Sequence, residues 1–286
     1  PLGGSKGFGI GIFRAPIDND LYIKRVWKKL ELETEKLLVE KPLSPSKAFT
    51  TEGNKVVITS NHYVSTVKKK KICKVKFTYE IYNDGAIKVT EKMTVDQAKA
   101  KAYRESNPYG YEKRDAPVVE GEVRTQESDM FRFGMQLPMA KCFENLEYYG
   151  RGPVETYNDR KDSEHIGIYN STVTDEFYNY IRPQETGNHV DLRWYKIMNA
   201  GGHGLTVVAE KPFNASALHY TIESLDEGMQ KQNWHSQEIP QADLTNVCID
   251  LVQCGLGCIN SWGAIPRDEY LVKYQDYEFT FTLFPM

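Results

Sequence analysis

The sequence predicts an all-β fold, a large antiparallel two-sheet β sandwich with few short helices, and three observations carry that prediction. The dominant pattern along the chain is a period-two alternation of apolar and polar residues, the signature of strands with one buried face. Turn-forming residues separate most of the alternating runs. Helical spacing is scarce, and no strand-helix alternation of the kind that builds an α/β barrel or a dinucleotide fold is present.

Taken in order, the first element is the exception: Ile23, Val26, Trp27 and Leu30 in YIKRVWKKL recur at helical spacing and predict one short amphipathic helix. KVVITS follows as a strand. KVKFTYEIY alternates through Val75, Phe77, Tyr79 and Ile81, and AIKVTEKMTV turns Ile87, Val89, Met93 and Val95 one way and Lys88, Thr90, Lys92 and Thr94 the other. Between them NDG, residues 83–85, tolerates the positive φ of a tight turn, so the two runs form a hairpin. Residues 96–129 are polar, contain prolines and show no sustained period, which describes a long surface excursion. HGLTVVAE, ALHYTIE, VCIDLVQ and YEFTFTLF supply further strands. The chain is read as one domain over residues 1–286, with a split near residue 130 as the alternative.

Composition excludes some functions. At 286 residues with a net charge of −3, the chain has no basic field for nucleic acid. Its one polybasic run, Lys68 to Lys71, flanks a strand-like segment and suits an exposed sheet edge. No apolar run approaches bilayer-spanning length, so no membrane partner is expected. The amino terminus lacks the pattern of a secretion signal and an initiator methionine, which suggests a fragment of a longer polypeptide and leaves cytoplasm and periplasm both open. The cysteines Cys73, Cys142, Cys248, Cys254 and Cys258 form no Cys-x-x-Cys pair, and buried free thiols are expected in place of a zinc site.

Four stretches concentrate chemistry. In FRAPIDND, Asp18 and Asp20 would face the same side of an extended chain and could hold a cation or sugar hydroxyls, but a turn with Asp20 as a helix cap outweighs that reading. YYGRGPVETYNDRKDSEH gathers arginines and carboxylates around Gly150, Gly152 and Pro153, where a structural network at a turn is expected, with Arg151 or Arg160 clamping a carboxylate. RPQETGNHVDLRW adds Glu185, His189 and Asp191, with no nucleophilic serine or cysteine motif nearby. GLG, residues 255–257, is too short for a phosphate cradle. Just beyond it, Trp262 in NSWGAIP sits among small and turn-forming residues. Either its loop folds back over apolar surface, or the indole is presented to something outside.

In their order and spacing, FRAPIDND, YYGRGPVETYNDR, RPQETGNHVDLRW and GLGCINSWG resemble the signatures of the carboxy-terminal domain of bacterial β-galactosidases of glycoside hydrolase family 2, from residue 13 to residue 263. The resemblance implies a sandwich shared with galactose mutarotases. It implies that the catalytic glutamates, with the magnesium and sodium ions, belong to an upstream α/β barrel, so this chain carries no catalytic residue or cofactor and does not hydrolyse a glycoside alone. Trp262 matches the family tryptophan that stacks on the sugar or aglycone in the leaving-group subsite, and Asp18, Asn19 and Asp20 match neighbours of the site. DNDLYIKRVWKKL runs straight into the predicted helix, without most of the mobile loop the family has there. The implied partners are a β-galactoside substrate, the catalytic barrel of the same enzyme and a possible homo-oligomer. The alternative is a free-standing sugar-binding or aldose-mutarotase domain working through Glu185, His189 and Asp191.

Overall fold

A computed structural model describes residues 9–20, 49–65, 71–96, 130–226, 235–257, 266–273 and 275–286. The predicted helix near Val26 and nearly all of the predicted 96–129 excursion lie outside these residues, as do Lys68 to Lys70. Among the described residues the regular structure is strand, broken only by short 3₁₀ turns.

The strands are β1 (Gly9–Gly11), β2 (Phe49–Glu52), β3 (Lys55–Ser65), β4 (Lys71–Tyr82), β5 (Ile87–Val95), β6 (Arg132–Met139), β7 (Asn145–Gly152), β8 (His165–Thr172), β9 (His189–Met198), β10 (Gly204–Leu218), β11 (Thr245–Gln253) and β12 (Tyr277–Pro285). All pair antiparallel in one branched sheet. The branch point is β10. Along Leu205–Ala209 it pairs with β12, which continues through β5, β4, β3 and β2. Along Asn214–Leu218 it pairs instead with β11, which continues through β6 to β1. On its other side β10 carries β9, then β7 and β8.

This fork corrects one reading of the sequence. HGLTVVAE and ALHYTIE predict two strands, but Gly204–Leu218 is one strand that shifts register between Val208 and Phe213, and His219 to Glu223 is not strand at all. The irregularity surrounds Pro212, which has no N–H to give a ladder and is tolerated where pairing is broken. One strand can thereby serve two wings.

The wings curl over a shared apolar core, which makes the molecule a β sandwich. Val75, Phe77, Val89 and Met93 from the hairpin and Phe279, Phe281 and Leu283 from β12 are buried in one cluster with Phe133, Met135 and Leu137 of β6 and Val247 and Ile249 of β11. Phe133 stacks on Tyr277 at 5.2 Å between ring centroids, joining the wings directly. Each such side chain contributes about 1.5–3 kcal/mol relative to exposure. The hairpin forms as its sequence predicts: β4 and β5 pair from Cys73↔Val95 to Ile81↔Ile87, and Gly85 takes φ +88° in the turn.

Two further corrections concern local chemistry. Gly150 lies within β7 and Gly152 ends it, ahead of the turn, and both positions need glycine: a Cβ at Gly150 would come within 2.6 Å of Leu192 and one at Gly152 would meet Tyr148. Cys73, Cys248 and Cys254 are buried as expected, but Cys142 is exposed, carried by the short turn between β6 and β7.

Candidate functional site

The four chemistry-bearing stretches meet at one end of the sandwich, where loops leave β1, β7 and β11 and another enters β9. At their centre is Arg14, which is fully buried. Its guanidinium donates to the Cys254 carbonyl at 2.5 Å, the Gly255 carbonyl at 3.0 Å and the Asp20 carboxylate at 3.1 Å. Its Cζ also lies 5.1 Å from the Phe131 ring centroid. Burial opposes the charge on Arg14, but Asp20, Cys254 and Glu185 more than offset it and hold the guanidinium above its ordinary value. The first stretch is thereby tied to the fourth across 240 residues of sequence.

Asp159 ties the second stretch to the fourth. Its carboxylate accepts the Leu256 N–H at 2.9 Å and the Gly257 N–H at 2.8 Å. Both glycines of GLG are needed for this. A Cβ on Gly255 would stand 2.5 Å from Asp159 Oδ2, and Gly257 takes φ +73°, a left-handed conformation that side chains disfavour. GLG is therefore a carboxylate-capped turn. Ile17, Tyr157 and Leu256, one from each of the three stretches involved, form a small apolar cluster beneath it. Asn158 donates to the Gln253 carbonyl at 2.9 Å, and the Gly255 N–H donates to the Tyr270 carbonyl at 2.9 Å. The stem leading into residues 258–265 is thus fixed from several directions.

Glu155 joins the second and third stretches. It accepts the Gly187 N–H at 2.7 Å and the Thr186 hydroxyl at 3.0 Å, and it bonds Arg160 at 3.0 Å and the Tyr180 hydroxyl. The Glu185 N–H donates to the Ala15 carbonyl at 3.3 Å, and its carboxylate lies 3.9 Å from Arg132. Arg132 in turn grips Asp250 with two guanidinium nitrogens.

The sequence-predicted residues fall as follows. Asp20 is buried, and its carboxylate accepts the Ile17 N–H at 3.1 Å as well as Arg14, closing a 3₁₀ turn over Asp18–Asp20. Burial raises its carboxyl above the ordinary range and outweighs Arg14. Asn19 is also buried, whereas Asp18 is exposed, with its N–H donating to Gln184 Oε1 at 3.3 Å. Trp262 lies outside the described residues.

Glu185, His189 and Asp191 do not converge on an open cleft. His189 is fully buried, with Nε2 2.6 Å from Glu176 and Nδ1 3.1 Å from the Arg151 carbonyl, so both ring nitrogens are engaged. Asp191 is paired with Arg151 at 2.6 Å and Lys161 at 3.2 Å. Burial opposes its charge, yet hydrogen bonds from these two partners hold its carboxyl below the usual range. Sequence reasoning passed over Arg14, Glu155 and Asp159, although all three lie within the stretches it marked and Asp159 adjoins Arg160. The arrangement is a positioning device: buried charges and caps that hold loop backbone in place. Among the described residues no group of three or more His, Cys, Asp or Glu could hold a metal ion.

The comparison with known families decides where the chain belongs. The model of the beta galactosidase small chain matches residues 4–283. The chain is a member of that family. It is 28% identical over 293 residues to a β-galactosidase of Priestia megaterium, covering 99% of this chain and 24% of that protein. It is 29% identical over 278 residues to one from Halalkalibacterium halodurans, covering 95% and 23%. The small-chain domain thus spans about a quarter of the length of these relatives. Among solved structures, a galactose mutarotase related enzyme from Lactobacillus acidophilus aligns with 87% of this chain and 71% of its own, at 8% identity and a TM-score of 0.34.

Proposed function

We propose that this small-chain domain is the carboxy-terminal part of a β-galactosidase, packed on an upstream catalytic barrel and presenting Trp262 to the acceptor subsite during retaining hydrolysis of terminal β-galactosides. The observation that carries the reading is the anchored stem: Arg14 holds the carbonyls of Cys254 and Gly255, and Asp159 holds the N–H groups of Leu256 and Gly257. A loop whose base is fixed at four successive residues can present a side chain at low entropic cost to a ligand outside its own domain. Family membership supports the enzyme class, and the greater length of the β-galactosidases of Priestia megaterium and Halalkalibacterium halodurans supports a further domain.

In this reading the chain contributes no acid, base or nucleophile. The barrel supplies those groups together with magnesium and sodium. Trp262 packs against the C–H face of the leaving sugar and leaves its hydroxyls free for polar partners. Asp18, at the exposed end of its turn, and Asn19 beside it border the substrate, whereas Asp20 acts through Arg14.

Trp262→Ala in the native full-length polypeptide tests this. The expected result is a loss of roughly 3- to 10-fold in kcat/KM on a galactosyl disaccharide, with a smaller loss on a galactoside whose leaving group makes no stacking contact. Equal kinetics on the disaccharide and unchanged inhibition by glucose-like acceptors would refute the assignment.

A further inference from the structure

The outward face of β8, β7 and β9 shares only the Arg151–Asp191–Lys161 cluster with the site just described, and it is built like an interface. Alternation points Ile166 and Ile168 of β8 and Glu147, Tyr149 and Arg151 of β7 outward, because Leu146, Tyr148, Gly150 and Gly152 are buried. Ile168 pairs with Tyr149, and Tyr149 pairs with Trp194 of β9, so one register row crosses the three strands as Ile, Tyr and Trp. Ile168 is 62% exposed, Ile166 42% and Tyr149 36%. Among the described residues β8 pairs with β7 alone and forms a sheet edge.

Charge rims this apolar row. On one side Asp191 binds Arg151 and Lys161, and on the other Glu147 binds Lys196. Arg193 lies 5.6 Å from the Tyr149 ring centroid and donates to the Asp191 carbonyl, and Lys196 lies 4.6 Å over the Trp194 ring. Four cations thus stand against two carboxylates. The cations over Tyr149 and Trp194 occupy the ring surface a pyranose would need, which argues against sugar stacking. An apolar aromatic row with a polar rim and arginine at its edge is the composition of a protein-docking patch.

We propose that this face docks an adjoining part of the same polypeptide, one that presents apolar side chains to Ile166, Ile168 and Tyr149 and carboxylates to the cationic rim. Two observations choose that occupant. The small-chain domain is only 24% and 23% of the length of two full relatives, so most of their sequence lies outside it. The face is also continuous with the site, since β7 runs into the loop of Glu155 and Asp159, and β9 follows the loop of Thr186 and Gly187. The proposal rests on the reading that the chain works within a longer β-galactosidase.

Site-resolved thiol labelling of the native full-length polypeptide tests it, comparing Ile168→Cys with Asp84→Cys, which sits in the exposed hairpin turn. A maleimide read out by peptide mass should modify the position-168 thiol at least 10-fold more slowly than the position-84 thiol, at every protein concentration. Equal rates would overturn the docking proposal, and Trp262→Ala kinetics would still stand as a separate test of the acceptor role. Protection that disappears on dilution as the particle mass halves would assign the face to a second copy and also overturn it. A native polypeptide of only 32.8 kDa would remove both readings together.

Discussion

The hairpin of β4 and β5 is held by apolar packing, with Val75, Phe77, Val89 and Met93 at most 2% exposed, whereas the loop end is held by buried charge, with Arg14, Asp20 and Glu155 each under 9%. The hairpin's contacts are non-directional and tolerate repacking. Those at the loop end are directional, and each positions a named piece of backbone: Arg14 the carbonyls of Cys254 and Gly255, Asp159 the N–H groups of Leu256 and Gly257, Glu155 the N–H of Gly187. Apolar burial makes this sandwich stable, and the buried polar groups determine where its loops stand. One residue crosses the divide. Glu91 lies on the buried side of β5, fully inaccessible, and neither of its carboxylate oxygens has a hydrogen-bond partner.

The sharpest way to break the comparison is to damage each region in turn. Phe77→Ala should cost about 3–5 kcal/mol through lost burial and a residual cavity, seen as a lower denaturant midpoint. The substrate selectivity of whatever folds should be unchanged. Arg14→Met should also cost about 3–5 kcal/mol, because it strands the buried Asp20 carboxylate. Unlike the first variant it should lower the disaccharide-to-aryl-galactoside ratio of kcat/KM, since the stem carbonyls lose their donor. If both variants alter selectivity alike, the division of labour fails.

Glu91→Met sharpens the comparison from the other direction, since an apolar group of similar volume replaces an unpaired carboxyl. Burial first, then repulsion from Asp250, holds the Glu91 carboxyl well above its usual range. Asp250 is itself pushed up to about 6 by burial, against the pull of Arg132. A carboxyl whose folded pKa is raised contributes stability that is complete below its unfolded value and is lost as pH rises through the folded one. The contribution of Glu91 and Asp250 to stability should therefore fall as pH rises from about 4 through 6 and beyond, against the opposite contribution of Asp191, whose carboxyl is held low. Glu91→Met should be more stable by about 1–4 kcal/mol at pH 8, with the gain shrinking toward acid pH. A gain independent of pH would mean that the Glu91 carboxyl titrates alike in the folded and unfolded chain, and would contradict its elevation by burial. Smallest is Asp159→Asn, which keeps the size but removes the charge that accepts two backbone N–H groups, at a cost of about 1–2 kcal/mol measured by denaturation.

The hairpin was legible because its period-two pattern and its turn lie within a few residues of one another. The same period places Glu91 inward, between Val89 and Met93, where its charge hides it from a pattern of apolar residues. β6 to β9 are not legible as strands in the sequence, because their glycines, Pro138 and charges mask the alternation. The loop end was legible as four stretches but not as a mechanism. Arg14 meets Cys254 across 240 residues and Asp159 meets Gly257 across 98, separations at which no local pattern betrays a partner. The glycines of GLG carried the one local clue: a pair excluded from phosphate binding still has to admit something close to the backbone, and what it admits is Asp159.

The most direct test of the central claim, that the loop end exists to hold Trp262 in place, is a double-mutant cycle between Asp159→Asn and Trp262→Ala in the native full-length polypeptide, read as kcat/KM on a galactosyl disaccharide. If the carboxylate acts by placing the indole, each single variant lowers the rate and the double variant is little worse than Trp262→Ala alone. Fully additive losses, or a Trp262→Ala variant as active as the parent, would contradict it.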